Sequence, residues 1–232
     1  MRPIEEQRQL DDPVWSCLTT RHAHFARGDA LARRYVESVS PIGALSGAGA
    51  AHVAALEALV AVGEDIALIG PAVPALAANW EVLYASRIVQ MIRSDRSPLP
   101  EGDIEVSPLA AADIEEMLEL VELTKPGPFR PRTIELGTYI GARLQGRLVA
   151  MAGERMWIGG FREVSAVCSH PDVQGRGYAR ALVGRIVNRM LARGETPILH
   201  VDRPNARAIE MYLALGFVTR AELPLLYTKR TG

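Results

Sequence analysis

Residues 174–179, Gln-Gly-Arg-Gly-Tyr-Ala, constrain this chain more than any other six positions. They separate a strand-like run at 164–168 from a helix-like run at 179–192, so the backbone must pass from strand to helix through two glycines. The first turn of a helix leaves N–H groups with no intrahelical acceptor, and the helix dipole places its positive end there. Gly175 and Gly177 put no side chain in front of those donors, so the mouth suits a phosphate group. Each charge-assisted bond of this kind is worth roughly 1.5–3 kcal/mol, and three or four would anchor a pyrophosphate. Taken alone, the segment reads equally well as an ordinary glycine turn.

The sequence downstream narrows the choice. Residues 197–201 form a second strand-like run, Asn205 suits a helix start just after Pro204, and Gly216 suits a helix end. Asn205 and Tyr212 lie seven positions apart, about two helical turns, and so project from one face. In these segments the chain resembles the GNAT superfamily of N-acetyltransferases. The superfamily's glycine turn, Gln/Arg-x-x-Gly-x-Gly/Ala, is matched by Gln174, Gly177 and Ala179. Its second signature, an Asn, a Tyr seven residues on, then Gly-Phe, is matched by Asn205, Tyr212, Gly216 and Phe217.

The resemblance covers residues 103–230 and implies an α/β GNAT fold, a mixed central sheet flanked by helices. It implies a CoA-dependent N-acyltransferase, acetyl-CoA the expected donor, acting on a primary amine of a small molecule or peptide by direct attack in a ternary complex. A catalytically silent acyl-CoA sensor is the alternative. Gln174, Gly175, Arg176, Gly177, Tyr178 and Ala179 would then hold the diphosphate. The backbone of Val167 and Cys168 would pair with the pantetheine arm, and Asn205 would bond that arm or simply cap its helix.

Acyl transfer to an amine needs a neutral nucleophile, a stabilised oxyanion and a protonated leaving thiolate. An amine of pKa about 10.4 arrives protonated at neutral pH. Glu163, early on the strand before the glycine turn, is the expected base; Glu154 and Glu135 compete with it, and a solvated strand-end glutamate is the plain alternative. Tyr212 is the expected acid, unless it merely packs. Cys168 sits where backbone contacts are expected, so a covalent thiol route is disfavoured. Arg130, Arg132, Glu135 and Tyr139 fall on the acceptor side by resemblance, and arginines there would suit an amine that carries a carboxylate.

The rest of the chain sets bounds. Lys plus Arg (26) nearly balances Asp plus Glu (27), which argues against a dedicated nucleic-acid binder. Two distant cysteines, Cys17 and Cys168, make no disulfide framework. No apolar run approaches the ~18 residues of a membrane span, and the acidic N-terminus is unlike a secretory signal, so a cytoplasmic setting is expected. Scattered histidines, His22 and His24 included, offer no metal-ligand spacing, and no metal is expected. A dinucleotide fold is the rival for the glycine turn, with Asp202 in the ribose position, but too few residues follow to complete its sheet.

The polar, proline-bearing stretch 94–103 divides the chain into an N-terminal α/β subdomain, 1–97, and an acyltransferase domain, 98–232. In front, 14–32 and 50–62 read as helices and 34–40, 65–69 and 80–92 as strands. That set is too small for a sheet of its own, so it should extend the sheet of the back half. The glycine N-acyltransferase-like branch of the superfamily carries an incomplete front domain of this kind. The Leu45–Ala50 turn reads as a structural helix start rather than a second phosphate site. Behind the linker, 104–108, 139–144, 148–157, 161–168 and 217–227 read as strands, with helices at 111–124 and 178–192.

Overall fold

The computed structural model describes residues 3–71 and 73–232. The front half runs α1 (Ile4–Gln7), α2 (Pro13–Thr19), β1 (Ala26–Gly28), β2 (Ala32–Tyr35), β3 (Ile42–Leu45), α3 (Ala50–Leu59), β4 (Asp65–Ile69) and β5 (Trp80–Ile92). The back half runs β6 (Ser107–Leu109), α4 (Ile114–Thr124), β7 (Tyr139–Leu144), β8 (Arg147–Ile158), β9 (Phe161–Ser169), α5 (Tyr178–Ala192), β10 (Thr196–Asp202), α6 (Ala206–Ala214) and β11 (Val218–Arg230). All these strands join one sheet in the order β1-β2-β3-β4-β11-β5-β10-β9-β8-β7-β6. The pairs β3–β4 and β9–β10 run parallel and their neighbours antiparallel. A mixed sheet of this order is the expected α/β fold and not the parallel sheet of a dinucleotide-binding domain.

The two halves are interlocked. β5 and β11 pair with each other along their length, from Trp80–Arg230 to Ile92–Val218. Each also borders the other half's parallel pair: β5 lies against β10, and β11 lies against β4. The front strands therefore do extend the back sheet, as expected, but one of them is threaded into its middle. The linker is pinned too. Asn188 on α5 accepts from the Leu99 N–H (2.8 Å) and donates to the Leu99 carbonyl (3.0 Å). The buried Arg93 guanidinium donates to the carbonyls of Leu215, Asp95 and Ser97.

Two local departures from the sequence reading have clear causes. The helix expected over 14–32 stops at Thr19. Gly28 adopts φ +112°, and a Cβ there would lie 2.1 Å from the Ala32 carbonyl oxygen. The Asp29 carboxylate then accepts from the Leu31 and Ala32 N–H groups (2.8 and 3.2 Å), closing a tight β1–β2 turn. β3 escaped notice because all four of its residues are buried, so it shows no alternation.

Each face of the sheet has its own core. Leu182, Val183, Ile186 and Met190 of α5 pack against Val164, Leu199, Val201 and Met91. On the opposite face, Val14, Cys17 and Leu18 of α2 cover Ile88, Met156, Phe161 and Ile198. Beside them Met117 and Leu120 of α4 pack on Met151 and Cys168. Full burial of one such side chain stabilises by about 1.5–3 kcal/mol, so α2 and β5 tie the front half to the back far more strongly than a linker could. No helix among the described residues is long and apolar enough to cross a membrane.

A fragment of residues 98–232 loses β5 and leaves β10 and β11 with bare edges. It should show no cooperative melt, whereas the full chain should unfold in one calorimetric transition. Cooperative melting of the fragment alone would establish two separable domains.

Candidate active site

The site is made by two strands that start together and part. β9 and β10 pair from Phe161–Thr196 to Val164–Leu199, and no further. Beyond that point Ser165–Ser169 keeps β8 on one side only, and His200–Asp202 keeps β5 on one side only. A bulge marks the fork: Met151 faces Cys168 and Gly153 faces Ser165, so β9 carries an extra residue there. Ala166 takes φ +51° in that bulge, a left-handed conformation uncommon outside glycine. Val167 and Cys168 follow, with the β10 side of their backbone freed from sheet pairing.

The glycine turn sits at the open end of β9. Gly175 and Gly177 adopt φ +79° and +85°, and a Cβ at either would meet no atom within 4 Å. Their freedom is thus needed by the backbone, and the space in front of it is open. Gly177 caps α5 without a side-chain bond, and the first i→i−4 bond is Ala181 N–H to the Gly177 carbonyl (3.0 Å). The amides of Gly177, Tyr178, Ala179 and Arg180 therefore stand at the mouth ahead of the helical ladder. Gln174, Gly175, Arg176 and Gly177 are exposed and Tyr178 and Ala179 half-buried. Uncovered N–H donors at the positive end of a helix form a site able to accept an anion.

Tyr212 reaches the fork from the α6 side. It is buried, stacks edge-on against Phe217 (5.9 Å between centroids), and packs in the same core as Val164 and Val201. Burial pushes its phenol well up, with Cys168 and Glu163 adding to the effect, so it keeps its proton. Asn205 caps α6: its side-chain oxygen accepts from the Ala208 N–H (3.1 Å), which leaves its amide NH2 for another partner. Burial also pushes the Cys168 thiol up, to about 11, against weaker bonds from Thr124 and the Met151 backbone. A thiol so held carries little thiolate and is a poor nucleophile.

Glu163, the expected base, lies in a different setting from an open cleft. Its carboxylate is buried and accepts from Arg155 Nε and Nη2 (both 2.8 Å), from the Met156 N–H (3.2 Å) and from His200 Nδ1 (2.8 Å). The proton on His200 follows from its other partner. Gln90 Oε1 accepts from Arg220 (2.8 Å), so Gln90 Nε2 donates both to the Leu10 carbonyl and to His200 Nε2 (each 2.9 Å). Nδ1 is then the protonated nitrogen. Burial alone would raise the Glu163 carboxyl, but the Arg155 charge and bonds and the His200 bond outweigh it and hold it far below the ordinary carboxylate range. A carboxylate with four donors and so low a proton affinity is a cross-strand clamp, ill suited to take a proton.

The other acceptor-side candidates are also engaged. Glu154, opposite Val164 in register, is buried and paired with Arg193 at the end of α5 (2.7 Å). Glu135 pairs with Arg132 (2.7 Å) and Arg130 with Asp65 (3.1 Å), so neither arginine presents an unshared charge to a substrate carboxylate. Tyr139 is buried against Gly153 and Phe129, its hydroxyl without a hydrogen-bond partner among the described residues. His22 bonds the Tyr35 hydroxyl (2.9 Å), and among the described residues no cluster of His, Cys, Asp or Glu could hold a metal. The front turn repeats the strand–glycine–helix plan in β3–α3–β4, but the His52 ring lies 2.8 Å from where a Gly47 Cβ would stand and fills that mouth. The structural reading of that turn accounts for the geometry.

The sequence did carry a signal for the clamp. Glu154-Arg155 stands inside a strand that is otherwise apolar after Arg147, and a charge there demands a buried partner. The role of His200 and the bulge at Ala166 left no such mark.

Known proteins resemble this chain in sequence and fold. Residues 139–223 match the family described as FR47-like protein. The chain is 32% identical over 73 residues to the L-amino acid N-acyltransferase MnaT of Escherichia coli K12, a match spanning 30% of this chain and 42% of that enzyme. A solved GNAT-family structure from Novosphingobium aromaticivorans DSM 12444 is 33% identical, with a TM-score of 0.86, over 96% of this chain and 99% of its own. A GCN5-related N-acetyltransferase from Kribbella flavida shares the fold at 16% identity, with a TM-score of 0.61 over 94% of each chain.

Glu163→Gln should cost about 3–5 kcal/mol in urea unfolding, the scale of leaving one partner of a buried pair uncompensated. The sign of the pH dependence follows from a folded carboxyl held below its unfolded value. Its contribution is complete above the unfolded carboxylate pKa of about 4.3 and fades as pH falls below that value. The variant should accordingly show a shallower loss of stability between neutral and acid pH than the wild type. Equal acid slopes would remove Glu163 from the clamp.

Proposed function

The chain belongs to the GNAT superfamily of N-acyltransferases, and on that premise we propose that it transfers an acetyl group from acetyl-CoA to a primary amine by direct attack in a ternary complex. The observation that carries this reading is the fork itself. Bare helix-mouth amides stand at its open end, unpaired β9 backbone runs along one arm, and a buried phenol reaches its base.

The residues divide the work as follows. The turn from Gln174 to Ala179 grips the diphosphate, with Arg176 and Arg180 near enough to add charge. The backbone of Val167 and Cys168 pairs with the pantetheine arm, whose other side Asn205 NH2 can bond. An N–H on this segment polarises the thioester carbonyl as the oxyanion forms. The amine sheds one proton to solvent, its lone pair forms the C–N bond, and the carbonyl π pair moves to oxygen. When that pair returns, the C–S bond breaks and the Tyr212 hydroxyl protonates the departing sulfur; the nitrogen loses its second proton and Tyr212 is reprotonated.

The acceptor is a small primary amine, an amino acid or a peptide terminus in this reading, and the acyl group acetyl. An amino-acid acceptor would have its carboxylate met by a group other than Arg130 or Arg132, which already hold Asp65 and Glu135. A cytoplasmic setting suits an enzyme that consumes a CoA thioester and keeps Cys17 and Cys168 as free thiols.

Tyr212→Phe should lower kcat for CoA release by about 100-fold or more, the scale of a lost acid–base group, with acetyl-CoA affinity retained. Gly177→Asp should abolish acetyl-CoA binding in calorimetry by setting a charge and a Cβ before the mouth. Unchanged turnover in the first variant would remove Tyr212 from the mechanism. Retained affinity in the second would move the diphosphate elsewhere, and binding without release of CoA from any amine would reduce the chain to a sensor.

A further inference from the structure

We propose that Asp202, on β10 and held from β5 of the front half, is the group that seats the acceptor's ammonium at the fork. The inference rests on the acyl-transfer reading and adds to it what selects the acceptor. Ile198, His200 and Asp202 alternate along β10 onto one face, opposite Leu199 and Val201, which pack under α5. Ile198 and His200 are sealed beneath the N-terminal segment. Asp202 is half-buried and stands beyond that cover, three residues past the last β9–β10 pair. At about 3.3 Å per strand residue it lies some 10 Å up the open arm of the fork, on the face opposite the α5 helix.

Its bonding sets it apart. β8, β9, β10 and β11 carry Glu154, Glu163, Asp202 and Glu222. Glu154 is held by Arg193, Glu163 by Arg155, and Glu222 by Arg87 and Arg203. Asp202 has no cation partner among the described residues. Its two oxygens are instead held by neutral donors, the Tyr84 hydroxyl (2.5 Å) and the Ser86 hydroxyl (2.7 Å), both from β5. Hydroxyl donors fix the carboxylate without cancelling its charge. Even the adjacent arginines, Arg87 and Arg203, turn to Glu222 rather than to Asp202. An uncompensated carboxylate, oriented and partly desolvated beside a thioester channel, is a receptor for a cation.

The acceptor class this selects is an alkyl amine that arrives as its ammonium ion. Docked on Asp202, the ammonium is oriented before it gives up a proton to solvent and turns its lone pair to the thioester. Asp202 is therefore a specificity residue on the substrate, and Tyr84 and Ser86 are positioning residues behind it. Their place on β5 gives the interlocked front strand a part in catalysis as well as in folding.

The test compares steady-state kinetics with an alkyl amine and with an arylamine that is uncharged at neutral pH. Asp202→Asn should raise KM for the alkyl amine about 10- to 100-fold, the scale of one charge-assisted hydrogen bond, with kcat little changed. The arylamine should lose little, and the acetyl-CoA dissociation constant should stay as in the wild type. Tyr84→Phe with Ser86→Ala keeps the carboxylate but frees it, and should raise the alkyl-amine KM several-fold; this variant carries the test if Asp202→Asn does not fold. If the wild type turns over and neither variant shifts the alkyl-amine KM, Asp202 is a brace between β10 and β5 and the inference falls. Equal losses for the alkyl amine and the arylamine would overturn it as well. A wild type that turns over no amine at all would instead overturn the acyl-transfer reading beneath it.

Discussion

The bond between Glu163 and His200 ties β9 to β10 across the point where the two strands separate. Much else is arranged around that tie. Arg155 anchors Glu163 from β8, and Gln90 anchors His200 from β5, so four adjacent strands are joined through side chains at one level. Above this level no backbone pairing joins the central strands among the described residues, and β9 bulges at Ala166. The fork opens where it does because the clamp ends there. A polar network this deep is costly unless its members are satisfied, and here both Glu163 oxygens, both His200 ring nitrogens and the Gln90 amide have named partners.

This accounts for the part of the site that was hard to see in the sequence. The strand–glycine–helix passage at 174–179 and the Asn205–Tyr212 spacing were legible because they rest on local geometry: φ signs, helix caps and the 3.6-residue period. Glu163 was legible as a chemically important position, but its type of importance was not. A glutamate on a strand says nothing of the arginine that will face it from the neighbouring strand. Once Arg155 lies across from it, the physics reverses. Burial that would have made it a useful base is overcome by a buried cation, and it becomes an anion that stays ionised. The same long-range pairing emptied the expectation for Arg130, which Asp65 of the front half holds.

The front half was the least legible region, and topology is the reason. Its helix α2 ends early, at Thr19, and the chain then turns at Gly28 and Asp29 between β1 and β2, a local signal that hydrophobic periodicity overrode. Its strand β5 could be recognised as extended, but nothing local says that it lies between β10 and β11. The β3–α3–β4 unit and the β9–α5–β10 unit are built alike, each a parallel pair spanned by a helix. Each has the long strand of the other half at its side. The chain thus behaves as two similar halves that have exchanged strands, of which the back one keeps an open helix mouth and the front one fills its own with His52.

That exchange gives the front half a role a mere cover could not have. A cover would shape the acceptor face by excluded volume alone. A strand threaded next to β10 delivers side chains in register with it: Gln90 opposite His200, Ile88 opposite Asp202, and Ser86 and Tyr84 further along the same face. One end of β5 thereby closes the clamp, and the other positions the carboxylate at the mouth. Loss of the pairing would disturb both ends at once, which is why folding and acceptor recognition should be coupled in this chain. An acyltransferase domain that closed its sheet with its own strand would carry neither constraint.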